Sequence, residues 1–446
     1  MTGFGVSKMK KTAPEWFSHG AIYQINPRTF SSEGTIRAVE KELPFIAALG
    51  FETVYLCPVF TEDDSKDESC WSDRQKKSKT GNPKNPYRIK NYFTVDEEYG
   101  TTEDLKSFVL RAHELKMHVL LDLVYMHIAP NADILKTHPE FARHDEKGNI
   151  IASQYHFPYL NFDCPGLREY LYANMVYLLA EIGCDGFRCD ASDETPLDFW
   201  TEGKKRIQRI KPDAVLIHEG SKTEYLKTFD AMYGFSYHES LYRILDSAGT
   251  AEEFKSDFDS VFEKVPKGTF IVRDMDNHDT VTDWPERVEK LAGHDGSEML
   301  IAMNYFISGI PMVYCGNELA DSNRLSMFAN RFYPGNFEFS DRSKKNTEAA
   351  LRRQEKIWEF NDIRRKSDTL AFGGFSWLKT GENVLGFVRK GENENIKFIC
   401  AFSDATVKLP KTAEILVQNN FDGVHLHKHG YIAWREKKCI LTTETK

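Results

Sequence analysis

A chain of 446 residues is longer than one ordinary core requires and about right for a large α/β barrel with an appendage. Its net charge of −9 and pI near 5.9, with no basic block, exclude the electrostatic footprint of a nucleic-acid or anionic-membrane binder and leave a neutral or weakly polar small molecule as the expected partner. No apolar run approaches the roughly 18 residues of a spanning helix, and the opening MTGFGVSKMKKTAPEWF has a basic start without the apolar stretch of a signal peptide, so a cytoplasmic protein is expected.

In chain order, eight short apolar runs alternate with helical patterns, the mark of βα units around a parallel sheet buried on both faces. They are AIYQI (21–25), TVYLCPV (53–59), HVLLDLV (118–124), CDGFRCD (184–190), AVLIHEG (214–220), AMYGF (231–235), GTFIVRD (268–274) and IPMVYCG (310–316). Before the third run, TTED approximates a capping box, and Leu105, Phe108, Val109 and Ala112 share one helical face. The irregular stretch 128–162 is too long for a simple connection and is expected to be a small inserted subdomain. After about residue 371 short alternating segments such as VLGFVRK and IKFICAF predict a β domain. The expected architecture is a (β/α)8 TIM barrel over 1–127 and 163–370, the insert at 128–162, and a C-terminal antiparallel β domain over 371–446. The eight cysteines are scattered, several within apolar runs and none in a CxxC pair, which predicts reduced, buried thiols.

Closing the eight runs into a barrel brings their carboxyl ends together, where barrel active sites are built. Asp190 ends the fourth run, Glu219 ends the fifth and Asp279 follows the seventh. Neighbouring strands lie about 4.8 Å apart, so carboxylates ending the fourth and fifth can face each other at about the 5–5.5 Å of a retaining glycosidase pair. Arg188, two residues before Asp190 and so on the same side of the strand, is expected to hold Asp190 ionised as nucleophile. Glu219, in an apolar run, is the better proton donor because burial raises a carboxyl pKa. Asp122 is expected to be a buried arginine partner. Taken singly, strand-end carboxylates are more often helix caps, and lone histidines such as His127 and His278 are more often structural. A metal site using His113, His118 and His127 converges poorly, since these lie on a helix, at a strand start and at a strand end.

The ordered motifs resemble the α-amylase family of retaining glycoside hydrolases along nearly the whole chain. DLVYMH is similar to its third-strand motif, GFRCDAS to its nucleophile motif, IHEG to its acid strand and NHDT to its third-carboxylate motif. YQINPRTF, NPYRIKNYFTVDEEYGT and GIPMVYCGNE resemble its first-strand, second-helix and eighth-strand approaches. The resemblance implies Asp190 as nucleophile, Glu219 as general acid/base and Asp279 as the carboxylate that grips sugar hydroxyls. It also implies Arg188, His127 and His278 as sugar binders and Tyr87 as a stacking platform. FPYLNFD and CDASDE bring the chain nearest to the neopullulanase, cyclomaltodextrinase and maltogenic amylase branch, whose members usually carry an N-terminal β domain; here the first barrel run opens at residue 21, leaving oligomeric state open.

Three departures from the family pattern carry information. Met126 stands where the third-strand motif usually has a calcium-binding asparagine, so no cofactor is expected and calcium is not expected at that position; Asp63, Asp64 and Asp67 are an alternative cluster. DASDE lacks the Lys-His pair of starch-liquefying amylases, and Ala191 replaces the valine of α-1,6-specific relatives. The expected activity is retaining hydrolysis of α-1,4 bonds in maltooligosaccharides. A glucosyltransferase or α-glucosidase acting on small α-glucosides, and a silent sugar-binding relative, are the other two classes; the natural sugar and exo or endo action stay open.

Overall fold

The computed structural model describes residues 13–245, 249–329 and 347–438. All eight apolar runs form strands: β1 (Ile22–Ile25), β2 (Thr53–Leu56), β3 (His118–Leu123), β4 (Gly186–Cys189), β5 (Val215–His218), β6 (Ala231–Tyr233), β7 (Phe270–Arg273) and β8 (Ile310–Tyr314). They are parallel, pair in sequence order and close through β8 against β1, with Tyr23 opposite Val313. The expected (β/α)8 barrel is therefore the fold.

Side-chain alternation divides each strand between two layers. Val119, Leu121, Leu123, Phe187 and Leu216 face outward into the large core under the helices. Ile22, Leu120, Val215, Ile217, Val272 and Met312 form the separate core inside the barrel. Moving two residues on toward the carboxyl ends turns this inner face polar: Gln24 follows Ile22, Asp122 follows Leu120, and Glu219 follows Ile217. Gly186 opens β4 because a Cβ there would lie 2.2 Å from the Val215 carbonyl oxygen of β5.

The helix before β3 spans Thr102–Glu114 and opens on the capping box Thr101/Asp104, with Leu105, Phe108, Val109 and Ala112 buried. The connection between β2 and β3 is more than a loop with a helix at its end. It holds an antiparallel ribbon, Phe60–Glu62 against Ile89–Val95, and a short helix, Asp73–Lys77. Buried Arg88 ties this excursion together, donating to the carbonyls of Asp63 and Cys70 at 2.8 Å and of Pro83 at 2.7 Å. Between β3 and β4, residues 128–162 contain the helix Asp133–Thr137, are joined internally by a bridge of Ala142 with Leu160, and return to the end of β3 through a bridge of Tyr159 with His127.

The C-terminal strands are β9 (Gly374–Trp377), β10 (Val384–Lys390), β11 (Glu394–Ala401), β12 (Ala405–Thr406), β13 (Glu414–Phe421) and β14 (His425–Lys437). They form an antiparallel sheet ordered β9-β10-β11-β14-β12, with β13 also on β14. Phe306, on the helix before β8, stacks on Phe398 of β11 at 5.5 Å and joins sheet to barrel. Cys57, Cys184, Cys189 and Cys400 are buried free thiols, Cys70 and Cys164 are half-buried ones, Cys315 is buried, and Cys439 lies outside the described residues. No helix among the described residues is long and apolar enough to cross a membrane.

Candidate active site

The parallel register carries the fourth and fifth strand ends to one level, since Cys189 pairs with His218 and the next residues are Asp190 and Glu219. Glu219 N donates to the Cys189 carbonyl at 3.2 Å, and Asp190 N to that of Leu123 at 2.8 Å. Ala191 then turns left-handed, with φ +36°, a conformation that costs a non-glycine residue about 1–2 kcal/mol. This turn aims the Ala191 N–H at Glu219 Oε2, 2.7 Å away. A strained backbone thus fixes one oxygen of one carboxylate immediately after the residue bearing the other.

Arg188, fully buried on the inner face of β4, is the hub. Its Nη1 donates to Asp122 Oδ1 at 2.9 Å and to Asp190 Oδ1 at 2.8 Å, while Nη2 pairs with Glu219 Oε1. Asp122 is thereby the arginine partner foreseen from its place in an apolar run, and Tyr55 donates to its other oxygen at 2.5 Å. One guanidinium facing three carboxylates leaves an excess of negative charge in a dry place, so the acids cannot all ionise together.

Burial pushes Asp190 up to about 6 against the pull of Arg188. Arg188, expected to hold Asp190 ionised, acts in that direction by limiting a rise that desolvation causes. Burial pushes Glu219 further, to about 8, with Arg188 opposing and the charges of Asp190 and Asp279 adding to the rise. The order of the two rises, Glu219 above Asp190, favours a protonated Glu219 beside an ionised Asp190. Burial also disfavours ionised Asp279, yet its carboxyl lies well below the usual range because His278, Arg74 and Arg188 oppose that penalty. Burial keeps the His278 ring itself neutral, at about 4, so the arginines are the lasting charges.

These groups open onto a cavity of about 400 Å³ lined by Tyr87, His127, Asp190, Glu219 and Asp279, with Tyr155 and Phe157 from the insert and Phe235 after β6. His127 Nε2 donates to the Tyr87 carbonyl at 2.9 Å, and its Nδ1 is buried without a partner. Burial lowers this ring to about 4, so the orphan nitrogen is an acceptor for a hydroxyl. Arg188 and His278 stand one layer back from the lining. His278 lies between Gln24 Nε2, 2.7 Å from Nδ1, and the Tyr87 hydroxyl, 2.5 Å from Nε2, and its ring stacks on Tyr87.

Several contributors escaped sequence reasoning. Arg74 Nη2 donates to Asp279 Oδ1 at 2.6 Å. His218, beside Glu219 but facing out of the barrel, meets Ser192 Oγ at 2.6 Å and Asp193 at 3.0 Å, clasping the loop after β4 to the end of β5. A Cβ on Gly220 would collide with both His218 and Asp193. The Ser-x-x-Gln start SDRQ marks the helix bearing Arg74, but no local signal places that helix over Asp279.

The alternative metal triad does not assemble. His113 and His118 meet at Asp185, at the amino end of the strands, away from His127. The calcium-ligand position holds the buried thioether of Met126. Asp63 takes the Ser65 N–H at 2.9 Å and the Asn131 amide at 3.1 Å and lies 3.9 Å from Arg88, so amides and a guanidinium stand where a cation would. Among the described residues no group of three or more His, Cys, Asp or Glu is arranged to hold a metal ion.

The α-amylase catalytic-domain model matches residues 10–149 and 150–419, which is most of the chain. The chain belongs to the α-amylase family. A cyclomaltodextrinase from Bacillus sp is 25% identical over 362 residues, covering 69% of this chain and 60% of that enzyme. A cyclomaltodextrinase from Geobacillus thermopakistaniensis is 22% identical over 451 residues, covering 89% of this chain and 71% of that one. The chain thus spans about 60–71% of the length of these two relatives. The crystal structure of a noncanonic maltogenic α-amylase from Thermotoga neapolitana shares the fold with a TM-score of 0.75 at 24% identity, over 94% of this chain and 97% of that one. As a member of the α-amylase family, the chain has its strand-end carboxylates in the barrel mouth where that family's motifs lie in sequence.

Proposed function

We propose that this α-amylase family member is a retaining hydrolase of α-1,4-glucosidic bonds in maltooligosaccharides, with Asp190 as nucleophile, Glu219 as general acid/base and Asp279 as the carboxylate that holds the glycone's hydroxyls. The observation that carries the reading is the protonation split between two carboxyl groups held by one guanidinium, with Glu219 pushed up to about 8 and Asp190 to about 6. The two carboxyl groups end neighbouring strands at one level, and the about 4.8 Å spacing of paired strands suits the about 5–5.5 Å of a retaining pair better than the about 6.5–9.5 Å of an inverting one.

In this mechanism Glu219 protonates the departing oxygen while Asp190 attacks the anomeric carbon, giving a covalent glycosyl-enzyme. Glu219, now ionised, takes a proton from water, which releases the sugar with its α configuration retained. The partnerless Nδ1 of His127 accepts a glycone hydroxyl, and the Tyr87 ring, held by His278, presents its face to the sugar. Arg188 stabilises charge on Asp190 as it becomes the leaving group. The substrate assignment draws on the cyclomaltodextrinase likeness, and the mechanism assigns no step to calcium. A cytoplasmic site of action is supported by the free thiols of Cys57, Cys184, Cys189 and Cys400.

Proton NMR of the first product of maltooligosaccharide cleavage tests the reading. The α-anomer is expected to form before mutarotation mixes the forms; β-anomer first would reject a retaining pair.

A further inference from the structure

The cleft wall beside Asp279 is built by a segment that carries none of the three catalytic carboxylates. Helix Asp73–Lys77 starts at Ser72, whose Oγ accepts the Gln75 N–H at 3.2 Å, and buried Gln75 donates to the carbonyls of Asn82 at 2.9 Å and Pro83 at 3.1 Å. Its first two residues reach opposite walls. Arg74 Nη2 lies 2.6 Å from Asp279 Oδ1 and 2.9 Å from Asp283 Oδ2, both on the short helix His278–Asp283 after β7. Asp73 Oδ1 lies 3.3 Å from His156 Nε2, in the insert after β3. His156 holds a left-handed backbone, φ +67°, a strained conformation of the kind that persists only where its surroundings impose it. Two consecutive side chains therefore tie the excursion after β2 to two other loops of the barrel mouth.

The direction of the cleft follows from the chemistry. The general acid must stand beside the oxygen of the departing sugar, so the aglycone lies toward Ala191, Asp193 and Gly220, the lining residues next to Glu219. The glycone lies over Asp190 toward Asp279, and on that side the cavity is walled by Ser72, Arg74 and Asp283. A chain continuing beyond the glycone meets the Asp73–Arg74 bridge. In an α-glucan that continuation is the non-reducing end.

Resting on the α-1,4 hydrolase reading, we propose that helix Asp73–Lys77 closes the glycone end of the cleft, so that the enzyme takes glucan chains by their non-reducing ends, with Arg74 as the specificity-determining residue. Arg74 dominates because its guanidinium engages two carboxylates, whereas the Asp73–His156 pair is solvent-exposed and contributes little by itself.

The test compares p-nitrophenyl α-maltoheptaoside with the same compound blocked at its non-reducing 4- and 6-hydroxyls by an ethylidene group, following products by chromatography. The wild-type enzyme is expected to cleave the blocked substrate about 10–200-fold more slowly, the range that one excluded group provides in a fitted pocket. It should also release a single short fragment first from the free one. Arg74→Ala should narrow the ratio between the two substrates and spread the first products, and His156→Ala should narrow the ratio less. A merely structural loss would slow both substrates alike and leave the ratio unmoved. Equal cleavage of both substrates by the wild-type enzyme, or an unchanged ratio in Arg74→Ala, overturns the proposal and leaves the hydrolase reading standing. Failure to cleave the unblocked compound at all overturns that reading and this proposal with it.

Discussion

Replacing Glu219 by glutamine isolates the role of one proton. With its carboxyl raised to about 8 by burial, Glu219 is favoured in its protonated form at pH 7. Glutamine has nearly the same shape but no proton to give. General acid catalysis contributes typically about 10²–10⁴-fold, so maltooligosaccharide cleavage should fall by that factor. The structure adds a second cost. Glu219 accepts from Ala191 N on one oxygen and pairs with Arg188 on the other, whereas glutamine has one oxygen for two donors. One donor is left facing an NH2 group, at about 1–3 kcal/mol, which should appear as a modestly lowered melting temperature. Fluoride leaves without a proton, so the first step on α-maltosyl fluoride should survive in Glu219→Gln, and glycosyl-enzyme should accumulate because the base for the second step is missing. Intact mass spectrometry after brief exposure should find the adduct on this variant and not on Asp190→Asn, which has no nucleophile. An adduct on Asp190→Asn, or equal loss on both substrates in Glu219→Gln, would refute the assignment.

The two raised carboxyl groups also shape the pH profile: kcat/KM should be bell-shaped, falling below about 6 as Asp190 takes a proton and above about 8 as Glu219 loses one. The limbs belong to the coupled pair, so Glu219→Gln should abolish the alkaline one, and its persistence would contradict the role of Glu219 as general acid. Activity and melting temperature should barely respond to a calcium chelator, because Met126 offers no hard ligand and Arg88 lies beside Asp63; a large fall in chelator that calcium restores would show otherwise.

Local order was written in the chain. Eight apolar runs of strand length, separated by helical patterns, lead to a parallel barrel because such strands must be buried on both faces. The period of two along a strand then puts Arg188 and Asp190 on one side without any knowledge of their neighbours. The helix Thr102–Glu114 was readable to its cap, since capping and amphipathic spacing involve contacts within a few residues. The excursion after β2 was not. Its ribbon and short helix are held by carbonyls gathered around Arg88 from Asp63, Cys70 and Pro83, and gathering carbonyls leaves no side-chain pattern in a sequence. The same limit applies to charge. That Asp190 and Glu219 are carboxyl groups at strand ends is a sequence fact. Which of them keeps its proton depends on how completely each is dried, and on one guanidinium shared among Asp122, Asp190 and Glu219, and both are set only when the barrel closes.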